Sequence, residues 1–230
     1  MALILNIDTA TENALVSLAN EKEVIASERN SNPMNHAAFL QPAIAKIFSI
    51  SGKQLQQIDA VAVSAGPGSY TGLRVGLASA KGLCFALDKP LILLNTLQIM
   101  AQEAKLHLDK DALYCPMIDA RRMEVFAALL DCSLNEIIPT GAFILTEETF
   151  TGSIARQEKP IVYFGSGMPK WEKIAPKHDA FFIHDILSNP NAMNLLAQEY
   201  FLKKSFADTA YSEPLYAKNF FTTAKINDSL

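Results

Sequence analysis

The stretch VAVSAGPGSYTGLRVGLASAKGL, residues 61–83, decides the fold of this chain. It begins with an apolar run typical of a buried strand, continues through a loop rich in Gly, Pro and Ser, and ends in a helix-like segment. Gly66 and Gly68 allow positive φ or close approach of another backbone, and Ser69 and Thr71 are candidate helix N-caps. A strand, a glycine-rich loop and a helix in succession are typical of phosphate-binding proteins.

The two common phosphate-binding motifs are excluded at this loop. A P-loop requires G-x-x-x-x-G-K-[ST], whereas GPGSYTGLR carries Leu73 and Arg74 where the lysine and the hydroxyl residue should stand. The dinucleotide motif G-x-G-x-x-G fails as well, because Thr71 occupies the position of its third glycine.

Arg74 is an unusual residue for the first turn of a helix. A cation there opposes the helix dipole and costs roughly 0.3–1 kcal/mol if it is exposed. A nearby negative charge would explain it, and two sources stay open. One is a carboxylate of this chain, such as Asp8 or Asp119, and the other is an external anion or a partner's carboxylate.

Two helical segments carry faces suited to close packing. Gly72, Gly76 and Ala80 lie four apart, and glycine inside a helix costs roughly 1 kcal/mol unless close packing offsets it. The packing partner is either internal or a helix of another protein. The segment 36–49 carries a wide apolar stripe that favours the second option. Its apolar residues are Phe39, Leu40, Ala43, Ile44, Ile47 and Phe48.

The composition is that of an ordinary globular protein with a slight negative charge. Of 230 residues, 50% are hydrophobic and 19% are charged, and the net charge is −4. This length allows a sizeable core. The negative net charge argues against strong binding of nucleic acid by this chain alone, because such binding requires a basic patch.

The cysteines and the N-terminal residues indicate the cellular compartment in which the protein is expected. Cys84, Cys115 and Cys132 are well separated and form no C-x-x-C pair, so reduced thiols are expected. The opening MALILNID has no basic region, and its apolar run stops at Asp8, unlike a signal peptide. The sequence lacks an uncharged stretch of about 18 residues, so no membrane span is expected. We therefore expect a soluble cytoplasmic protein.

Hydrophobic patterns predict alternating strands and helices. Strands are predicted at 2–8, 14–19, 23–27, 58–64 and 90–95, and helices at 36–49, 72–87 and 96–106. Beyond residue 110, strands are predicted at 112–120, 123–131, 141–146 and 161–167, with a final helix at 191–204.

A strand, an aspartate, a short turn and a second strand occur twice. This repetition predicts a duplicated α/β architecture with a cleft between two lobes. We expect an N-terminal lobe at 1–108, a second lobe at 109–189, and a C-terminal helix and tail at 190–230 that pack back on the first lobe. The polar end of the chain, 211–230, is expected to be partly loose.

Three segments together resemble the bacterial TsaB proteins of tRNA threonylcarbamoyladenosine biosynthesis. They are NIDTATENALVSL, SAGPGSYTGLRVGLASAKGL and MIDARRMEVF. The resemblance covers most of residues 1–130, and PLYAK at 214–218 is similar to the family's C-terminal P-x-Y-x-R element. The chain departs from the family at Tyr70, where Phe is usual, and at Ala217-Lys218, where the family has Leu-Arg. Residues 135–205 carry little recognisable signal.

The resemblance implies an α/β fold of the actin, sugar-kinase and heat-shock-protein superfamily (ASKHA, ribonuclease H-like). That fold has two lobes, each with a mixed β-sheet flanked by helices. The resemblance also implies a non-catalytic scaffold or activator that pairs with TsaD, a paralogous catalytic subunit, and with the ATPase TsaE. Their complex transfers a threonylcarbamoyl group to the tRNA adenosine beside the anticodon, and tRNA is bound only through the complex. A homodimer is expected when the partner is missing.

The resemblance further implies that the helices at 36–49 and 72–87 form the surface toward the partner. The residues expected to make this contact are Phe39, Leu40, Ala43, Ile47, Gly72, Arg74, Val75, Gly76, Ser79 and Ala80.

The histidines argue against a catalytic metal. The catalytic paralogue carries an H-x-x-x-H pair on its first helix, because two histidines one turn apart can share a metal. In this chain Leu40 stands four residues after His36. We therefore expect His36 to begin a helix, and we expect no metal.

Nucleotide binding is left open by the residues. In the superfamily, an aspartate followed by small residues opens each lobe, so that backbone amides face phosphates. DTAT at 8–11 fits this pattern, whereas DARR at 119–122 places two cations there, and GSG at 165–167 falls near the adenosine loop. The candidate contacts to ATP or ADP, shared with the partner, are Asp8, Thr9, Thr11, Asp119 and Arg121. The alternative is a turn role for Asp8 and an internal ion pair between Asp119 and Arg121.

Two other functions remain as alternatives. One is a small-molecule kinase of the same superfamily, which phosphorylated product from ATP and candidate sugars or acids would reveal. The other is a metallohydrolase resembling a glycoprotease, which one tightly bound zinc or iron per chain would reveal.

Overall fold

The first half of the chain is built on a mixed β-sheet. The computed structural model describes residues 2–30, 32, 35–108, 111–154, 157–184, 186 and 189–218. The strands of the first sheet are β1 (Ile4–Asp8), β2 (Ala14–Ala19), β3 (Val24–Asn30), β4 (Ala60–Gly66) and β5 (Leu91–Asn95). Within these described residues their order is β3-β2-β1-β4-β5. β1 is antiparallel to β2 and parallel to β4.

Helices cover both faces of this sheet. α1 (His36–Ser51) and α2 (Tyr70–Leu87) pack on one face, and α3 (Thr96–Leu108) follows β5 on the other. β1, β2 and β4 are therefore buried along their whole length. This double cover explains why these strands have nearly continuous apolar sequences.

The second sheet repeats the first. Its strands are β6 (Leu113–Asp119), β7 (Glu124–Leu130), β8 (Glu136–Ile144), β9 (Ile161–Phe164) and β10 (Ala180–Ile183). In the described part of the chain their order, β8-β7-β6-β9-β10, matches β3-β2-β1-β4-β5. The directions match as well, because β6 is antiparallel to β7 and parallel to β9. The predicted duplicated architecture is confirmed.

The two sheets share a buried core. α3 and α6 (Pro190–Leu202) pack against each other between the sheets. The core cluster includes Ile4 from the first sheet, Tyr114 from the second and Met193 from α6, and each is almost inaccessible to solvent. The outer face of the second sheet is covered by α4 (Thr151–Ile154) and α5 (Met168–Glu172), where Trp171 is fully buried.

The chain after α6 returns to the first lobe. Ala207 forms an antiparallel bridge to Leu91 of β5. The backbone amide of Leu215 donates a hydrogen bond of 2.7 Å to the carbonyl oxygen of Ala65, at the end of β4. We call residues 207–218 the tail.

A lysine of α2 also holds the tail. Lys81 Nζ donates hydrogen bonds of 3.0 Å to the carbonyl oxygens of Ala210 and Ser212. The expectation of a loose chain end is therefore wrong for residues 211–218. The remaining residues, 219–230, lie outside the described part of the chain.

The predicted elements agree with the structure except at a few places. β8 begins at Glu136, five residues before the predicted strand at 141–146, and β10, α4 and α5 were not predicted. These elements are short or lie at a sheet edge, where the local pattern is weak. Within the described residues, no helix combines the length and apolarity that crossing a bilayer requires.

Candidate functional site

The face of α2 that carries Gly72 and Gly76 packs against the turn between β1 and β2 (residues 9–13), which we call the first turn. A Cβ on Gly72 would lie 2.0 Å from the carbonyl oxygen of Thr9, and one on Gly76 would lie 2.3 Å from Thr9 Oγ1. The Thr9 hydroxyl also donates a hydrogen bond of 2.7 Å to the carbonyl oxygen of Gly72. Glycine is needed here because any larger residue would separate the helix from the turn. The packing partner of this face is therefore internal.

The predicted partner-contacting residues divide into buried and accessible sets. The members that lie in the chain's own core are Leu40, Ala43, Ile47, Gly72, Gly76 and Ala80. Another protein cannot reach them without opening the core, so this part of the prediction is wrong. Arg74 is exposed, and Phe39, Val75 and Ser79 are half-buried, so these four remain candidates.

Several small and apolar residues are exposed on the outward faces of α1 and α2. Exposed small or apolar residues include Ala38, Pro42 and Ala45 on α1 and Ala78, Gly82 and Phe85 on α2, and the polar residues Gln41, Lys46 and Arg74 are exposed beside them. Phe85 is 87% exposed, although an aromatic ring gains much by burial. The Gln41 side-chain amide donates a hydrogen bond of 3.2 Å to the Ser79 hydroxyl and holds the helices side by side. We call the six small or apolar residues, with Phe39, Val75 and Ser79, the helix-pair surface.

The sequence reasoning missed Ala78, Gly82 and Phe85. They share the spacing of three and four residues that drew attention to Gly72 and Gly76. The signal was therefore present, but α2 carries two small-residue stripes, and periodicity alone does not show which one faces the core.

Arg74 contacts the tail and an aromatic ring. Its Nε donates a hydrogen bond of 2.9 Å to the Tyr216 hydroxyl. Its guanidinium lies 3.9 Å from the centre of the Tyr70 ring, in a cation–π contact. The hydrogen bond to Tyr216 and the nearby carboxylate of Glu213 raise the pKa of Arg74. The predicted internal carboxylate is therefore Glu213 of the tail, and the two examples given, Asp8 and Asp119, are wrong.

Asp8 belongs to the interior of the first turn. Burial raises the pKa of Asp8, and hydrogen bonds from the Ala10 amide and Ser64, together with the nearby His36, oppose this rise. The Ala10 amide donates to Asp8 Oδ1 at 3.0 Å, and the Thr9 amide donates to Ser64 Oγ at 3.4 Å. These amides are bonded within the lobe, so the structure assigns turn-forming roles to Asp8 and Thr9.

The turn between β6 and β7 (residues 120–123), which we call the second turn, has a different charge arrangement from the one predicted. Lys170 Nζ lies 2.6 Å from Asp119 Oδ1, and the backbone amide of Arg121 donates to the same oxygen at 2.6 Å. Partial desolvation raises the pKa of Asp119, but these contacts outweigh it and lower the pKa. The predicted ion pair between the Asp119 and Arg121 side chains is wrong, because Lys170 takes that place.

Two cavities open into the cleft between the lobes. The turn cavity, of about 680 Å³, lies among residues 10–12, 68–71 and 118–121 with Phe126, Ser166 and Lys218. The tail cavity, of about 620 Å³, lies among residues 67–70, 120–124 and 215–218 with Leu73 and Phe126. Of the five predicted nucleotide contacts, Thr11, Asp119 and Arg121 line the turn cavity. A shared ATP or ADP site stays a prediction.

His36 is the first residue of α1. It is 5% exposed, and its Nε2 donates a hydrogen bond of 2.8 Å to the carbonyl oxygen of Thr11. The expectation that it begins a helix is confirmed. Leu40, one turn later, is buried among apolar side chains. Within the described residues, no three His, Cys, Asp or Glu side chains are grouped as metal ligands.

Comparison with known proteins identifies relatives over nearly the whole chain. A family model described as TsaD, tRNA N6-adenosine threonylcarbamoyltransferase, matches residues 23–201. The chain is 30% identical to the tRNA threonylcarbamoyladenosine biosynthesis protein TsaB of Haemophilus influenzae, over 97% of this chain and 96% of that protein. It is 31% identical to the protein of the same name from Escherichia coli, over 94% of each.

Solved structures confirm the fold. YeaZ from Pseudomonas aeruginosa superposes with a TM-score of 0.78 at 23% identity, over 94% of this chain and 100% of that chain. A second structure, of a Pseudomonas aeruginosa protein with similarity to peptidase YEAZ, has a TM-score of 0.82 at 24% identity, over 95% of this chain and 100% of that chain. The predicted two-lobed fold with mixed, helix-flanked sheets is therefore confirmed.

Proposed function

Because this chain belongs to the TsaB family of tRNA threonylcarbamoyladenosine biosynthesis proteins, we propose that it is a non-catalytic subunit of the complex that makes this modification. It binds a TsaD-like catalytic paralogue and a TsaE-like ATPase in the cytoplasm. The complex transfers a threonylcarbamoyl group to the tRNA adenosine beside the anticodon, and this chain scaffolds and activates it.

The helix-pair surface is the observation that carries this proposal. Exposed apolar groups at the centre of a surface are typical of protein contacts. Phe85 supplies a rigid aromatic anchor of the type found at the centre of interfaces. Ala45, Ala78 and Gly82 let a partner's backbone approach closely. A stable interface buries about 1,200–2,000 Å² in total, and two adjacent helices provide much of that area.

The residues at the catalytic positions of the paralogue support a non-catalytic role. A metal pair on α1 would require a second histidine where Leu40 stands, and Leu40 is 1% exposed in the core. In the second turn, Arg121 and Arg122 occupy positions that a phosphate-binding turn fills with small residues. The chain therefore lacks the second metal-binding histidine and the small-residue phosphate turn that the transfer reaction would use.

The same surface would also support self-association in the absence of the partner. Two helix-pair surfaces facing each other would cover both copies of Phe85. We therefore expect a homodimer that exchanges for the heterodimer when the paralogue is added.

Reconstitution tests the proposed function. The TsaD-like subunit, the TsaE-like ATPase, tRNA and threonylcarbamoyl-adenylate are mixed with and without this chain, and the modified nucleoside is measured. We expect modification to depend on the chain, and the chain alone to give none. Full modification in its absence, or turnover by the isolated chain, would contradict the proposal.

A further inference from the structure

The tail cavity is positively charged although the whole chain has a net charge of −4. Its lining contains the cations Arg121, Arg122 and Lys218 and the acidic residue Glu124. Lys218 and Glu124 form an ion pair, so their charges cancel. Two arginines remain to set the charge of the cavity.

Neither arginine side chain has a hydrogen-bond or ion-pair partner within the described part of the chain, and both residues are exposed. The turn itself is fixed. The Arg121 amide is bonded to Asp119, and the Glu124 amide donates to the Arg121 carbonyl oxygen at 3.0 Å. Both arginines have positive φ, of 70° and 47°, a conformation that residues with a side chain rarely adopt. The backbone thus holds two adjacent like charges at the mouth of one cavity.

Aromatic rings form another part of the wall. Tyr70, Phe126 and Tyr216 line the cavity. The Tyr70 and Tyr216 rings lie 5.4 Å apart, and Arg74 rests over Tyr70. Guanidinium groups interleaved with aromatic rings are the usual lining of sites that hold a phosphate and stack a base of single-stranded RNA.

Two backbone amides of the loop near the cavity are already bonded within the chain, which favours RNA over a free nucleotide. Terminal phosphates of a free nucleotide are typically cradled by unbonded amides of a glycine-rich loop. Here the Ser69 amide donates to the carbonyl oxygen of Ala10 at 2.7 Å, and the Gly72 amide donates to Ser69 Oγ at 3.3 Å. The charged side-chain donors of the cavity that have no partner among the described residues are the two guanidinium groups, and such side chains commonly contact the phosphate backbone of nucleic acids.

We propose that the tail cavity binds one unpaired nucleotide of the RNA substrate. Arg121 and Arg122 hold a backbone phosphate, and Phe126 and Tyr216 contact the base. The cavity volume of about 620 Å³ accommodates such a unit. This inference rests on the proposed function, since the complex supplies the RNA, and it gives this chain a direct contact with the tRNA.

The salt dependence of tRNA binding tests the site. The complex with the TsaD-like subunit is assembled with the wild-type chain or with the double variant Arg121→Ala/Arg122→Ala, and tRNA affinity is measured over a range of salt concentrations. Loss of the contact to one backbone phosphate of unpaired RNA lowers the slope of log K against log salt by about 0.7. We expect a loss of affinity of about tenfold at low salt. Arg29→Ala, which removes an exposed arginine from β3, is the matched control and should bind like the wild type.

The outcomes separate this inference from the proposed function. Gel filtration first establishes that the double variant still enters the complex. An unchanged slope in that complex overturns the RNA site and leaves the subunit role intact. If ATP alone binds with the same dependence on the two arginines, while tRNA binding does not depend on them, the site is a nucleotide site and the inference is wrong. If the wild-type chain fails to enter the complex, the proposed function fails, and the same salt titration of the isolated chain decides the RNA site.

Discussion

The Thr9 hydroxyl donates a hydrogen bond of 2.7 Å to the carbonyl oxygen of Gly72, and so joins the first turn of the chain to the start of α2. Both residues are buried. The contact turns the Gly72–Gly76 stripe of α2 toward the chain's own core. As a consequence, the opposite stripe, with Ala78, Gly82 and Phe85, faces solvent.

Substitutions on the two stripes should therefore have opposite effects on stability. Gly72→Ala places a methyl group 2.0 Å from the Thr9 carbonyl oxygen, and such overpacking costs about 1–3 kcal/mol. Gly82→Ala meets nothing within 4 Å, so it should stabilise the helix by about 0.5–1 kcal/mol. Urea denaturation of the two variants measures this difference. Equal changes in the free energy of unfolding would contradict the assignment of Gly72 to the core side of α2 and Gly82 to the solvent side.

The buried carboxyl group of Asp8 should give stability a distinct pH dependence. Burial raises the pKa of Asp8 in the folded chain above that of the unfolded chain. The folded state therefore retains a proton that the unfolded state has released. The resulting contribution to stability is complete below the unfolded pKa of about 4 and is lost as pH rises through the folded pKa.

The variant Asp8→Asn isolates this effect because its amide oxygen can still accept from the Ala10 amide. The free energy of unfolding of the wild type, minus that of the variant, should fall as pH rises from about 4 and then become constant. Denaturation at a series of pH values measures this difference. A difference that grows with pH would contradict the burial of Asp8.

The tail should depend on Lys81 for its local stability. Lys81→Met removes the two hydrogen bonds to the carbonyl oxygens of Ala210 and Ser212 but keeps an apolar stem of similar length. We expect faster amide hydrogen exchange within residues 207–218 and little change in the strands. Lys22→Met, at an exposed turn, is the control. Uniformly faster exchange across the chain would mean that the tail contributes to global folding instead.

Much of the fold could be predicted because its strands are buried on both faces. β1, β4 and β9 are short apolar runs, and the repeated strand–aspartate–turn–strand pattern anticipated the second sheet. β8 begins in the polar stretch at Glu136, and β10 is an edge strand of four residues. Such strands are held by backbone pairing with distant segments, which leaves little trace in the local sequence.

The candidate site was predicted less well for a related reason. Arg74 was recognised as needing a partner, but Tyr216 lies 142 residues further along the chain. The pairing of Asp119 with Lys170 is also long-range, and it leaves the adjacent Arg121 facing a cavity. When two side chains are distant in the sequence and meet only in the folded structure, their positions in the sequence do not show that they are partners.

The affinity of the TsaD-like subunit for two glycine variants tests the central claim most directly. Gly82→Glu places a carboxylate in the helix-pair surface, and Gly152→Glu places one on α4. Neither position has a heavy atom within 4 Å of the added Cβ, so both variants should fold. An unpaired charge buried in an interface costs several kcal/mol, and about 1.4 kcal/mol corresponds to tenfold in affinity. Calorimetric titration should show at least about a hundredfold weaker binding for Gly82→Glu and wild-type affinity for Gly152→Glu. Wild-type affinity for Gly82→Glu would contradict the assignment of the partner surface.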